Sequence, residues 1–446
     1  MPARRQSKTP HPKPHMTLSF KRALLLLLIP GLAGLALLLG PPCGRHPPSP
    51  TATRPPAQAL SALGEAPDWT TLEAFQSTLT RADFERLLTT VFTTGGAWRN
   101  FLEIDDAEVR IRTGGEGASG VFHLRFATPG HTKPTPRQWK SAADLPPAPP
   151  AKPLTGLRVA IDPGHIGGPW ARLEERWLSI GNGTPIREGD LTLTVANLLK
   201  PRLERLGATV SLVRTQTEPV TDLRAENLLD LAKATAPPAD SPAALRKTAE
   251  RLFYRTAEIH ARAQLVNGTL KPDLVLCLHF NAEPWGNPSH PTLVKRHHLH
   301  LLLNGAYTDE EVSLADQRFA LLERLLRRTH EEETLVGTTI ADTFAQLTGL
   351  PPFAYPVGSS NALPVNGHPY LWARNLLANR LYNCPVIFME PYVMNSTLDH
   401  PRIQAGDYEG LRKIQGKSQP SIFREYADAL AEGLARYYRN ARGKHT

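Results

Sequence analysis

The sequence predicts an α/β fold: a parallel sheet with helices on its faces, with a small N-terminal α+β module and an N-terminal membrane segment. Three observations carry this prediction. From Leu157 onward, short apolar runs alternate with helical patterns, the signature of βαβ units and a parallel sheet. One run, DLVLCLHFNA, is apolar almost throughout, as a strand buried on both faces is. An uncharged stretch follows a basic start, the pattern of an exported protein whose N-terminus stays in the cytoplasm.

The elements follow in chain order. Residues 1–22 form a basic tail. The run Ala23 to Gly40, ALLLLLIPGLAGLALLLG, is 18 residues long and just spans a bilayer. An uncleaved anchor is the favoured reading and a cleaved signal the other. The first places the protein on the periplasmic side of the inner membrane; the second makes it secreted. Residues 41–60 are a Pro-rich spacer. Residues 61–130 read as a small α+β module: Leu72, Phe75, Leu79, Phe84, Leu87 and Leu88 have helical spacing, and FLEIDDAEVRIRT and GVFHLRFAT have strand character. A second Pro-rich linker, 131–154, leads to the main domain at 155–440.

The net charge of +9 invites a nucleic-acid partner, but its location excludes one. Eight of the 51 basic residues and none of the 42 acidic ones fall within residues 1–60. The remainder is nearly neutral and offers no footprint for a phosphate backbone.

Within the main domain, LRVAID is a strand and PGHIGG a Gly-rich loop. GDLTLTVANLLKPRLERLG is helical, with Leu191, Val195, Leu198, Leu199, Leu203 and Leu206 on one face; Pro201 stands inside it as a kink candidate. ATVSLVRT, DLVLCLHFNA, HLHLLLNG and PVIFMEPYV are further strands. Residues 221–268 and 309–349 are mostly helical, and a last helix covers about 421–440.

Chemistry is expected beyond the carboxyl ends of the strands, where open α/β sheets bind ligands. Three ends carry suitable residues: His165 in Asp162-Pro163-Gly164-His165, His279 in Leu278-His279-Phe280-Asn281, and Glu390 in Phe388-Met389-Glu390. Glu188 opens the first long helix. Two imidazoles and one carboxylate are a catalytic zinc set with a fourth position left for water, and a further carboxylate can move the proton. Each has a bland counterpart. His165 could cap a turn, His279 could be a bonded core histidine, and Glu188 could serve a helix N-terminus, a role for which Asp190 competes. Glu390 resists a structural explanation, because an unpaired carboxylate is costly to bury. Surface exposure is expected for most other histidines. Within His297-His298-Leu299-His300, alternation puts His298 and His300 on one face, so one of them could line the cleft.

Taken together, IDPGH, a Glu opening a helix, LHFNA and IFMEPYVMN resemble, in order, the zinc-dependent N-acetylmuramoyl-L-alanine amidases of bacterial cell walls. The resemblance spans about residues 155–440. It implies a mixed, mostly parallel sheet flanked by helices on both faces, Zn2+ held by His165, Glu188 and His279, Glu390 as general base, and peptidoglycan as substrate. It also implies a structural role for Arg214 and Arg224. The sequence departs from the family's pattern at Ile166, at Cys277 and in the spacing of Tyr392 and Asn395. The stretch between His165 and Glu188 is also longer than usual and holds Trp170 and Trp177. These departures bear on substrate preference.

Two rivals remain: a peptidoglycan-binding protein with a degenerate amidase domain, and a zinc peptidase acting on the stem peptide. A two-carboxylate glycosidase would leave both histidines unexplained. For the stretch with Glu331-Glu332-Glu333 the family suggests a helix that covers the zinc until a protein activator moves it. A solvated acidic face is the favoured reading. Cys43, Cys277 and Cys384 form no framework; Cys277 and Cys384 are expected to be buried hydrophobes, with a disulfide as the alternative.

Overall fold

The computed structural model describes residues 59–114, 120–235, 241–287 and 290–442. The apolar run Ala23 to Gly40 lies outside them. No helix among the described residues is long and apolar enough to cross a membrane.

Residues 59–130 build a three-stranded antiparallel sheet with short helical segments. In α1 (Arg81–Leu87), the Thr80 hydroxyl accepts the Asp83 N–H and so caps the helix. Phe84 and Leu87 turn inward. The strands β1 (Leu102–Ile104), β2 (Glu108–Arg112) and β3 (Val121–Arg125) pair in sequence order. Asp105 makes the first turn, accepting the N–H groups of Ala107 and Glu108. The apolar face of this unit is closed by Tyr307, Val312, Leu321 and Leu322 from further along the chain. The Pro-rich stretch that follows is also packed down: Trp139, Leu145 and Leu154 are buried.

The main body follows. After β4 (Arg158–Pro163) comes a small hairpin, β5 (Trp177–Leu178) and β6 (Ile186–Arg187), then α2 (Glu188–Arg205) and β7 (Thr209–Leu212). Pro201 lies inside α2 without ending it. Next come α3 (Leu229–Thr235), α4 (Pro242–Arg251), α5 (Glu258–Gln264), β8 (Leu274–Leu278) and β9 (Leu299–Leu303). Then α6 (Asp309–Ser313), α7 (Ala315–Arg327) and α8 (Thr329–Thr348) precede β10 (Leu363–Pro364) and β11 (Leu371–Ala373). The chain continues with α9 (Leu377–Leu381), β12 (Val386–Pro391), α10 (His400–Gln404), β13 (Arg412–Ile414), β14 (Lys417–Gln419) and α11 (Ile422–Arg442).

Seven strands form one mixed sheet in the order β10-β11-β9-β12-β8-β4-β7. β7, β4, β8 and β12 run parallel. β9 runs against β12, and β10 against β11. Side chains alternate between two apolar layers, as the two-residue period of a strand requires. Val159, Ile161, Leu274, Leu276, Leu278, Ile387 and Met389 face α2, α8 and α11. Ala160, Val275, Cys277, Val386 and Phe388 face the other way, toward Ala263, Val266 and Ala378. Cys277 and Cys384 are buried and unbonded.

Register sets up the site. Leu278 stands opposite both Pro163 and Met389, so β4, β8 and β12 end level with one another. His165, His279 and Glu390 therefore emerge side by side at one rim. His279 and Glu390 share the parity of Cys277 and Phe388, and the His279 ring stacks on Phe388 with centroids 4.2 Å apart.

Candidate metal centre

His165 lies in the tight loop after β4, in the left-handed region at φ 60°. That conformation is unfavourable for a residue with a Cβ, so its surroundings have to hold it. Arg262 does much of this. Its buried guanidinium donates to the carbonyls of Pro163 (2.9 Å) and His165 (2.8 Å) and to Asp162 (2.8 Å). Asp162 also accepts the Tyr382 hydroxyl at 2.5 Å. Two close approaches need glycine. A Cβ at Gly164 would collide with the His279 ring, and one at Gly189 with the backbone of Ile166 and Gly167. The first turn of α2 is thereby seated directly on the His165 loop. Arg214 secures the same turn by donating to the Gly189 carbonyl at 2.8 Å.

Glu188 opens α2 and is buried. It does not serve its own helix N-terminus. One carboxylate oxygen, Oε2, meets His165 Nε2 at 3.1 Å; the other, Oε1, meets His279 Nδ1 at 3.0 Å. Asp190, the competitor for this role, instead accepts the Gly168 N–H at 2.6 Å. The donor atoms of His165, Glu188 and His279 all lie within 4.8 Å of one another. Tetrahedral zinc with bonds of ~2 Å spaces its ligands about 3.3 Å apart, so this donor set fits the ion in both chemistry and spacing.

Electrostatics follow from burial. Burial alone would depress His165, but Glu188 and Glu174 together push it up to about 9. Burial lowers His279, against the pull of Glu188. Burial works to raise Glu188, yet the two imidazoles hold it well below the usual carboxylate range. Burial and repulsion by Glu188 push Glu390 up to about 8. A dication at this point would favour the deprotonated forms of all of these groups.

The site opens into a cavity of about 520 Å³, lined by His165, Arg176, Glu188, His279, Glu390 and the turn from Phe280 to Gly286. All four site residues expected from the sequence thus line one cavity. Two more were not expected. Arg176 Nε lies 3.3 Å from Glu188 Oε2, and Glu174 lies 3.6 Å from His165 Nδ1. Both sit in the long stretch between His165 and Glu188; its length was the available signal.

Two expectations are overturned. Surface exposure holds for neither His298 nor His300, both of which are buried. His298 reaches Glu283 at 3.2 Å, and both rings pack on Phe353. Neither lines the cavity; the expectation failed because Phe353 and Tyr355 return over that face of β9. Glu331-Glu332-Glu333 is no solvated acidic face either, since Glu332 is 8% exposed and Glu333 0%. Glu332 accepts the Tyr437 hydroxyl, and Glu333 the Val386 N–H. α8 lies against the sheet rather than over the site, and no residue of 309–349 lines the cavity.

No protein-family model matches the chain, and no curated relative does. Solved structures that it resembles include the N-acetylmuramyl-L-alanine amidase Ami1 from Mycobacterium smegmatis, with 16% identity and a TM-score of 0.35 over 64% of this chain and 99% of that one. The N-acetylmuramoyl-L-alanine amidase AmiC2 of Nostoc punctiforme matches with 15% identity and a TM-score of 0.32, over 64% and 98%. The CwlD amidase from Clostridioides difficile, in complex with the GerS lipoprotein, matches with 12% identity and a TM-score of 0.35, over 63% and 98%. At such values the chemistry has to be read from this chain's own residues.

Proposed function

We propose that the protein is a zinc-dependent hydrolase that cuts the amide bond between N-acetylmuramic acid and L-alanine in peptidoglycan. One observation carries the reading: two imidazole nitrogens meet one buried carboxylate at the rim of the sheet, in a cavity that Glu390 also lines. The order of the four motifs along the chain points to the bond and the polymer.

His165, Glu188 and His279 would hold the ion. Bound there, zinc supplies a Lewis acid for the amide carbonyl and a water of lowered pKa. Glu390, which lines the same cavity, would serve as the general base and carry the proton to the leaving nitrogen. The Phe280–Gly286 turn walls the cavity beside it. In this reading residues 23–40 hold the enzyme at the periplasmic side of the inner membrane, or direct its secretion if they are cleaved.

The test is muropeptide mass spectrometry of sacculi incubated with the protein, with and without chelator, alongside elemental analysis for zinc. Intact stem peptides freed from muramic acid, only in the absence of chelator, are the expected products. Fragments cut within the stem would point to a peptidase, and binding without release to a non-catalytic protein.

A further inference from the structure

Glu174 is a buried carboxylate that the reaction above does not use. It is 1% exposed, and a carboxylate so placed is costly unless it is bonded. Its partners all belong to the loop of the first ligand. The Ile166 N–H donates to both oxygens, at 2.9 and 3.0 Å, and the Gly167 N–H to Oε2 at 2.9 Å. Oε1 stands 3.6 Å from His165 Nδ1, beyond a hydrogen bond but well within coulombic reach. The opposite ring nitrogen, Nε2, faces Glu188. The two nitrogens of one imidazole thus face two different carboxylates. Only Glu188 also meets the second histidine.

We propose that Glu174 is a positioning residue for the metal centre, holding His165 with its proton on Nδ1 so that the Nε2 lone pair turns to the ion. The inference rests on His165 being a zinc ligand. Three features support it. The His165 backbone is held at φ 60°, and Glu174 fixes the two amides that follow it, as Arg262 fixes the carbonyls of Pro163 and His165. Histidines that bind metals generally have a carboxylate or carbonyl oxygen beside the other ring nitrogen, which favours the proton there and raises ligand basicity; at 3.6 Å the Glu174 charge acts on Nδ1 coulombically. Glu174 also lies in the long stretch between the first two ligands, next to the β5–β6 hairpin that brings Arg176 to Glu188. That stretch would therefore build part of the centre and not merely decorate the groove.

Zinc affinity of the full chain, measured by competition with a chromogenic chelator, tests this directly. Glu174→Gln keeps an oxygen for the loop amides but loses the charge facing Nδ1. Its affinity should fall by roughly 10- to 100-fold, with the melting temperature of the metal-free form little changed. An affinity within about twofold of wild type would overturn the proposal. Should the variant fail to fold, 15N-histidine spectra of the zinc-loaded wild type still decide. A proton on His165 Nδ1 with the metal at Nε2 supports the brace, and a metal-bound Nδ1 refutes it. Wild-type protein that takes up no zinc would sink the functional reading itself.

Discussion

In the small sheet, Arg110 reaches Glu103, Asp105 and Glu108 across the strand surface, with 37% of its side chain exposed. At the rim of the large sheet, Glu188 meets His165, His279 and Arg176 with 4% of its side chain exposed. Both are charge clusters on β architecture, but their physics differs. The first is hydrated, screened and worth little. The second has lost its water, so its groups stand only because they face one another. The small sheet holds its charges outside and closes an apolar core with Tyr307 and Leu321. The rim gathers carboxylates and imidazoles inside. Buried charge of this kind is where function is to be sought.

Three experiments would break or sharpen the contrast. The largest effect belongs to the rim. Glu390→Gln should lower amide hydrolysis by about 10²- to 10⁴-fold while zinc content stays at the wild-type level; His165→Ala should lose both. Unchanged turnover on purified peptidoglycan by Glu390→Gln would remove the proposed base. The next concerns the small sheet. Phe84 is fully buried and packs 5.5 Å from Phe126. Phe84→Ala should cost about 3–5 kcal/mol in denaturant unfolding and leave zinc affinity alone. A parallel loss of zinc would mean that the two regions are energetically one.

The smallest effect lies at the seam between them. His330 on α8 is buried against Phe92, and burial, then Arg86, lowers it to about 4. In the unfolded chain it titrates near 6.5. The unfolded state therefore binds the extra proton first. The neutral imidazole's contribution is fully present above about pH 6.5 and is lost as pH falls toward 4, on the order of 3 kcal/mol in all. The melting temperature of the metal-free protein, followed from pH 7 to 4, should fall less steeply in His330→Gln. Parallel curves would rule this out.

How much of this was legible follows from where each residue sits. His279 and Glu390 stand out because a polar side chain at the end of an apolar strand is an anomaly that one-dimensional pattern reveals. Strand and helix order followed from period alone, and so did a parallel sheet with helices on its faces; that the sheet is mixed came from the family resemblance. His298 and His300 show the limit: alternation correctly put them on one face, but not that Phe353 would cover it.

By itself the sequence determined the kind of layers, the order of elements and the residue types at the strand ends, because these follow from local period and polarity. Only the tertiary structure decided that β4, β8 and β12 end level, that Glu188 rather than Asp190 turns to the histidines, and that Glu174 stands behind His165. Those outcomes depend on register between strands distant in sequence and on where a long loop returns. Neither leaves a mark in the order of residues along one segment.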